Sequence, residues 1–66
     1  MSKSWISKPA SSFLQHRIEF INDEELNIIY GDIIKADDEL RIFTVEWFDG
    51  KISRVSQDSA FINNIV

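Results

Sequence analysis

The sequence predicts an all-β domain: a small five-stranded sheet, curled into a partly open barrel and preceded by a short irregular N-terminal arm. Two observations lead to this prediction. Segments rich in β-branched and aromatic residues recur along the chain, and short acidic turns separate several of them. The chain has only 66 residues. A sheet that curls on itself lets so short a chain enclose a core and leaves few exposed edges.

Residues 1–13 are predicted to form the arm and residues 14–66 the barrel domain. The arm contains several serines, scattered lysines and Pro9 without any period, so we expect a loop or partial disorder there. Trp5 is an exception in this polar segment. It is expected either to pack on the body of the domain or to contact another chain.

The first strand is predicted within residues 13–21. Apolar and polar residues alternate there after His16, which places Ile18 and Phe20 on one face. The polar residues at 22–25 should end the strand, because short polar side chains compete for backbone hydrogen bonds and favour turns.

The second strand is predicted over residues 26–36, which are rich in isoleucine. Gly31 lies inside this segment and is expected to mark a bulge or a sharp bend. A helix over residues 26–34 is the alternative, but the β-branched content and Gly31 oppose it. The acidic residues at 37–39 are expected to turn the chain again.

The third and fourth strands are predicted over residues 40–48 and 51–56, joined at Asp49-Gly50, the strongest hairpin signal in the chain. Residues 59–66 should add a helical turn and a short closing strand. The Asp-Gly turn allows two registers. A two-residue turn would place Trp47 opposite Ile52, whereas a type I turn followed by a glycine bulge would place Phe43 opposite Val55.

The second register is favoured because it gathers the large apolar residues of both strands on one face. The predicted core is Ile18, Phe20, Ile29, Ile33, Phe43, Val45, Val55 and Ile62.

Composition excludes several kinds of site. The chain has no cysteine, so disulfides and thiolate metal ligands are excluded. His16 is the single histidine, and a structural zinc needs about four nitrogen or sulfur ligands. No apolar run reaches the roughly 20 residues of a membrane helix, and the N-terminus has no apolar core of signal-peptide length. We therefore expect a cytoplasmic protein with no metal, no cofactor and no membrane contact.

Charge is distributed unevenly. Residues 16–66 hold all 11 acidic residues and 5 of the 7 basic ones, a net charge of −6 for this part. This disfavours attraction to nucleic acid or anionic lipid and favours a positively charged protein partner. The alternative is that the acidity only serves solubility.

Three segments together resemble the Tudor branch of the small SH3-like barrels, and also the related KOW and chromo-barrel domains: residues 31–33, residues 45–50 (Val-Glu-Trp-Phe-Asp-Gly) and residues 52–55 (Ile-Ser-Arg-Val). The resemblance covers roughly residues 16–64. It implies a five-stranded SH3-like barrel. The best-known activity of Tudor domains is to hold methylated lysine or arginine in an aromatic cage.

Such a cage attracts a cation to its aromatic faces by about 0.5–2 kcal/mol per favourable face. Trp47 falls on an aromatic position of the family, and Phe20 could face it. Tyr30 lies directly before Gly31, whereas the cage residue stands two positions before that glycine, and Ser53 replaces the aromatic residue of the fourth strand. The resemblance therefore implies an incomplete cage, and binding of a methylated residue is left open.

A partner-binding site is predicted at one rim of the barrel. Alternate residues of a strand point to the same face, so Phe48 shares the solvent face with Thr44 and Glu46. It should therefore be exposed next to the Asp49-Gly50 turn. The turn at residues 23–25 should lie at the same end and add negative charge. The alternatives are that Trp47 only closes the core, that Phe48 is exposed by chance and that the acidic turns are merely solvated. The predicted site is Trp47, Phe48, Asp49 and Tyr30, supported by Phe20, Asp23, Glu24 and Glu25.

The sequence contains no nucleophile elbow, phosphate-binding loop or catalytic cysteine. We expect a non-enzymatic interaction module that binds a basic or mixed protein surface, as a small bacterial or bacteriophage regulatory protein. One alternative is KOW-like contact with nucleic acid, and another is an acidic mimic of nucleic acid that inhibits a host enzyme. A homo-oligomer formed through the Trp5 arm, a patch around Phe48 or an open strand edge is also left open.

Overall fold

The computed structural model describes residues 3–21 and 27–66. Five strands form one antiparallel sheet in these residues. The all-β prediction with five strands is therefore confirmed, and the helical alternative for the second strand is wrong from Ile28 onward. The strands are β1 (Arg17–Ile21), β2 (Ile28–Asp37), β3 (Ile42–Trp47), β4 (Ile52–Ser56) and β5 (Ile62–Ile65). Their order in the sheet is β4-β3-β2-β1-β5.

The sheet is open in the described part of the chain. β4 and β5 form its two edges and do not pair with each other. The predicted curling into a barrel is therefore not completed by hydrogen bonds between these strands. An open sheet with one apolar face must bury that face against another element.

The arm supplies that element. It contains two short 3₁₀-helices, Ser4–Ser7 and Ala10–Phe13, and Trp5 is only 5% exposed. Trp5, Ala10 and Phe13 belong to the same buried cluster as the sheet residues. The expectation of a loop or partial disorder is therefore wrong for Ser4–Ser7 and Ala10–Phe13, and Trp5 packs on the body of the domain.

The core lies between the arm and one face of the sheet. Two of the predicted core residues, Phe20 and Ile29, are only half-buried. They pair with each other close to the end of β1, where less of the structure covers them. We call the face of the sheet that points away from this core the outer face. The predicted core residues that are buried are Ile18, Ile33, Phe43, Val45, Val55 and Ile62.

The β3–β4 register follows the type I turn with a glycine bulge. Phe43 pairs with Val55 and Val45 with Ser53, which confirms the favoured register. Gly50 has φ +90°, a conformation that L-residues with a side chain rarely adopt. The turn therefore requires glycine, and it sets which residues of both strands face the core.

A β-bulge occurs in β2, but not at Gly31. The register between β2 and β3 shifts between Ile33 and Lys35, whereas Gly31 pairs regularly with Ile18 and Trp47. Of the two features predicted at Gly31, a bulge or a sharp bend, the bulge is therefore wrong. Because of the shift, Lys35 pairs with Thr44 on the outer face.

Gln57 anchors the arm from inside the protein. Its side chain is fully buried, and its Nε2 donates hydrogen bonds to the carbonyl oxygens of Trp5 (2.6 Å) and Lys8 (2.8 Å). Its backbone N–H donates to the carbonyl of Arg41 at 2.7 Å. One buried amide therefore ties the arm to the chain that leads into β5, a role that the sequence did not reveal.

Two surface contacts add to this anchor. The Arg41 guanidinium donates to both carboxylate oxygens of Asp58 (2.6 and 3.2 Å) and to the carbonyl of Ile6 (2.6 Å). On the other side of the arm, Ser11 donates its N–H and its hydroxyl to the two carboxylate oxygens of Asp38, at 2.7 and 2.9 Å.

These donors lower the pKa of both carboxyl groups. The backbone N–H of Ser11 is the main cause for Asp38, and the Arg41 side chain is the main cause for Asp58. Because the folded pKa lies below the usual 3.8, the stabilisation is present above that pH and is lost as the pH falls through the folded value.

We expect Asp38→Asn to weaken the acid dependence of folding. The wild-type urea midpoint should fall as the pH drops below 3.8, whereas the variant should start lower at neutral pH and change less across that window. The measurement is urea unfolding as a function of pH, followed by circular dichroism.

Glu39→Gln is the matched control, because Glu39 lies in the same turn and makes no hydrogen bond with any described residue. It should keep the wild-type pH profile. An Asp38→Asn profile parallel to the wild type would contradict the proposed anchor.

Candidate functional site

A surface pocket of about 440 Å³ lies at the end of the sheet where β3 enters the Asp49-Gly50 turn. It includes four of the residues predicted for partner binding: Tyr30, Trp47, Phe48 and Asp49. We call it the rim pocket, and its lining is Ile29, Tyr30, Trp47, Phe48, Asp49 and Lys51.

Strand pairing brings these residues together. Gly31 pairs with Trp47, so Tyr30 and Phe48 become neighbours on the outer face, and the Phe48 N–H donates to the Tyr30 carbonyl at 3.2 Å. The Trp47 N–H donates to the Lys51 carbonyl at 2.8 Å, which holds the turn against the end of β3. The site is therefore built on the hydrogen-bonded ends of β2 and β3.

Tyr30 and Phe48 form an exposed aromatic pair. Their ring centroids lie 6.0 Å apart with an interplanar angle of 31°. Phe48 is 63% exposed and Tyr30 39%, so both rings retain accessible surface. The exposure of Phe48 confirms the prediction that it lies on the solvent face at the end of the third strand.

A cation already lies on one ring of this pair. The Arg17 guanidinium carbon is 4.8 Å from the centroid of Phe48, within the range of a cation–π contact. The Arg17 Nε also lies 3.6 Å from a carboxylate oxygen of Asp32. Phe48 is thus placed where a guanidinium can reach its face.

Trp47 forms the inner wall of the rim pocket. It is half-buried, packs against the core and donates its indole N–H to the Ser53 hydroxyl at 2.5 Å. Ser53, which stands where the family resemblance placed an aromatic residue, therefore fixes the orientation of the indole. Trp47 serves both as a lid on the core and as a wall of the pocket.

Phe20 supports Trp47 and does not line the rim pocket. Its ring centroid is 5.3 Å from that of Trp47, in an edge-to-face arrangement, and 5.9 Å from that of Phe61. Phe20 and Trp47 are in direct contact, so the space that a cage would need between them is filled. The aromatic side chains that line the rim pocket are Tyr30, Trp47 and Phe48 instead.

Gly31 allows Trp47 to lie close to the sheet. A Cβ atom at position 31 would lie 2.5 Å from Val45 Cγ1 and 2.8 Å from Trp47 Cε3, both far below van der Waals contact. The absence of a side chain at Gly31 is thus a packing requirement of the site.

Asp49 provides the carboxylate of the rim pocket. Its Oδ1 accepts the Lys51 N–H at 3.0 Å, and its Oδ2 lies 4.0 Å from Lys51 Nζ. Both side chains are largely exposed, so this ion pair contributes little and leaves the carboxylate accessible to a partner. The rim therefore carries both signs of charge.

The remaining predicted residues can be placed only in part. Asp23, Glu24 and Glu25 lie outside the described residues. The turn after β2 lies at the opposite end of the sheet from Asp49, as predicted. The sequence missed Ile29 and Lys51 as lining residues and Arg17 as a neighbour of Phe48, although alternation already placed Arg17 on the outer face.

Within residues 3–21 and 27–66, no group of three or more acidic or histidine side chains is arranged to hold a metal ion. The same ranges contain no helix with the length and apolar character needed to cross a membrane. No protein-family model, curated protein or solved structure matches the chain at a significant level.

We expect Gly31→Ala to destabilise the fold by about 1–3 kcal/mol, since overpacking displaces Val45 and Trp47. Urea unfolding measures the loss. In a Val45→Ala background the added methyl group has more room, so the cost of Gly31→Ala should fall; the two changes form a double-mutant cycle.

Gly50→Ala is the control, because position 50 has open space and its cost comes from the positive φ alone. Its cost should not depend on residue 45. Equal costs of Gly31→Ala in both backgrounds would contradict the packing role of Gly31.

Proposed function

We propose that this protein is a non-enzymatic interaction module that binds a protein partner through the rim pocket. The convergence of Tyr30, Trp47 and Phe48 on one pocket carries the proposal. Aromatic residues are enriched in protein interfaces and at their energetic hot spots, because they bury a large area at a low entropy cost. The resemblance to Tudor-like SH3-like barrels, in which Trp47 takes a family aromatic position, supports the same reading.

The partner is a segment that presents an arginine or lysine side chain beside apolar groups. Asp49 offers an accessible carboxylate, and the aromatic faces attract cations. The contact between Arg17 and Phe48 supports this assignment, because it places a guanidinium 4.8 Å from the ring centroid. Lys51 at the edge of the pocket favours a partner of mixed charge over a purely basic one.

The proposal includes no chemical step. The ionisable groups that line the rim pocket are Tyr30, Asp49 and Lys51, all at an exposed surface. They offer no nucleophile held by a positioned base, which is the arrangement that covalent catalysis needs. Recognition by aromatic surface and charge is what this set of side chains supports.

The experiment is an NMR titration of the ¹⁵N-labelled protein with the capped peptide Gly-Arg-Gly, and with Gly-Glu-Gly as the opposite charge. We expect the arginine peptide to shift the Trp47 indole N–H and the amides of Phe48 and Asp49. Phe48→Ala should weaken binding about fivefold or more, the effect of truncating a hot-spot side chain.

Leu40→Ala is the matched control, since Leu40 is 62% exposed, close to the 63% of Phe48, and lies at the other end of the sheet. It should bind like the wild type. Equal shifts from both peptides, or arginine-peptide shifts that survive Phe48→Ala, would overturn the proposal. Once the probe binds as expected, the same variant pair can be used to identify the natural partner.

A further inference from the structure

A second pocket, of about 280 Å³, lies on the outer face at the opposite end of the sheet from the rim pocket. It contains two basic side chains and a hydroxyl group in a protein whose net charge is −4. We call it the cationic pocket, and its lining is Lys35, Ala36, Asp37, Ile42, Thr44 and Arg54.

Three of these residues form a row across the sheet. Thr44 on β3 pairs with Lys35 on β2 and with Arg54 on β4. Directly paired residues point to the same face, and neighbouring strands lie about 4.8 Å apart. The Cα atoms of Lys35 and Arg54 are therefore two strand spacings, about 10 Å, apart, with Thr44 on the strand between them.

The β-bulge in β2 creates this row. Val45 pairs with Ile33, so in a regular ladder Thr44 would face Ile34, and Lys35 would point to the core side. The extra residue moves Lys35 into register with Thr44. Bulges are common beside functional sites, because they redirect a side chain in this way.

Neither cation of the row is neutralised by the described part of the chain. Arg17, Arg41 and Lys51 each have a carboxylate within 4.0 Å. Lys35 and Arg54 are exposed and have no such partner among the described residues, and the Thr44 hydroxyl makes no hydrogen bond there. Two cationic side chains and a hydroxyl-bearing side chain thus line one pocket without an acceptor from the described chain.

Two acidic residues limit what can bind. Asp37 lines the cationic pocket, but one of its carboxylate oxygens accepts the Leu40 N–H at 2.9 Å. Glu46 lies two residues beyond Thr44 on the same face, and it pairs with Asp32. These acids oppose an extended polyanion such as a nucleic-acid backbone and leave room for one small anionic group.

We propose that Lys35, Thr44 and Arg54 bind a single phosphate group, free or carried by a ligand. A carboxylate has two oxygens and is satisfied by one arginine fork, whereas a phosphate has three free oxygens and accepts from donors on several sides. Here an ammonium, a hydroxyl and a guanidinium come from three adjacent strands. This inference is independent of the rim pocket and of the function proposed for it.

The test is an NMR titration of the ¹⁵N-labelled protein with inorganic phosphate, with capped phosphoserine and with acetate, at matched ionic strength and pH. We expect phosphate or phosphoserine to shift the amides of Lys35, Thr44 and Arg54 and to leave the rim pocket unchanged. Tighter binding of inorganic phosphate would identify free phosphate as the ligand, and tighter binding of phosphoserine would identify a phosphomonoester.

The double variant Lys35→Gln/Arg54→Gln should weaken the binding of phosphate or phosphoserine about tenfold or more, since it removes both charged donors. Lys3→Gln/Lys8→Gln is the control: it makes the same change in net charge at two exposed residues of the arm and should bind like the wild type. Thr44→Val should weaken binding without any change in charge.

Several results would overturn the proposal. Acetate shifts equal to those of phosphate would show a non-selective cation pair. Equal weakening by both double variants would show that net charge alone is responsible. Binding of a short oligonucleotide without binding of phosphate or phosphoserine would assign the two cations to nucleic acid. The spectrum of each variant reports whether it is folded.

Discussion

The structure depends on how the apolar face of an open sheet is covered. β4 and β5 do not pair with each other, so the sheet cannot enclose its own core. The two 3₁₀-helices of the arm take that role by burying Trp5, Ala10 and Phe13 against the strands. Sixty-six residues give a small core, so losing the arm would expose a large part of the apolar surface that stabilises the fold.

Polar contacts hold this cover in place more specifically than apolar packing could. Gln57 donates to two carbonyl groups of the arm from a fully buried position, and the two 3₁₀-helices of the arm are each tied to the domain, by Arg41 and Asp38. Burying the Gln57 NH₂ group would be costly without its two carbonyl acceptors in the arm, so Gln57 favours one position of the arm over others. These contacts tie the arm to the core side of the sheet.

The two ends of the sheet carry chemically different surfaces. One is the rim pocket, where Gly31 lets Trp47 lie close to the sheet and where Phe48 is exposed. The other is the cationic pocket, which exists because a bulge in β2 moves Lys35 from the core face of the sheet to the outer face. Both surfaces are set by backbone pairing within β2 and β3, the strands with the most extensive contacts of the sheet. A small sheet can in this way present separate surfaces without added loops.

Local patterns were enough to predict the strands, the register after Asp49-Gly50 and the grouping of Tyr30, Trp47, Phe48 and Asp49, because alternation and turn chemistry act between near neighbours. They also gave most of the core. They could not predict the bulge at Ile34, since its position depends on how β2 fits β3, nor the Arg17–Phe48 contact. The cover formed by Trp5, and the burial of Gln57 beneath it, were decided only by the tertiary structure. Those contacts join residues about fifty positions apart, and only the shape of the open sheet brings them together.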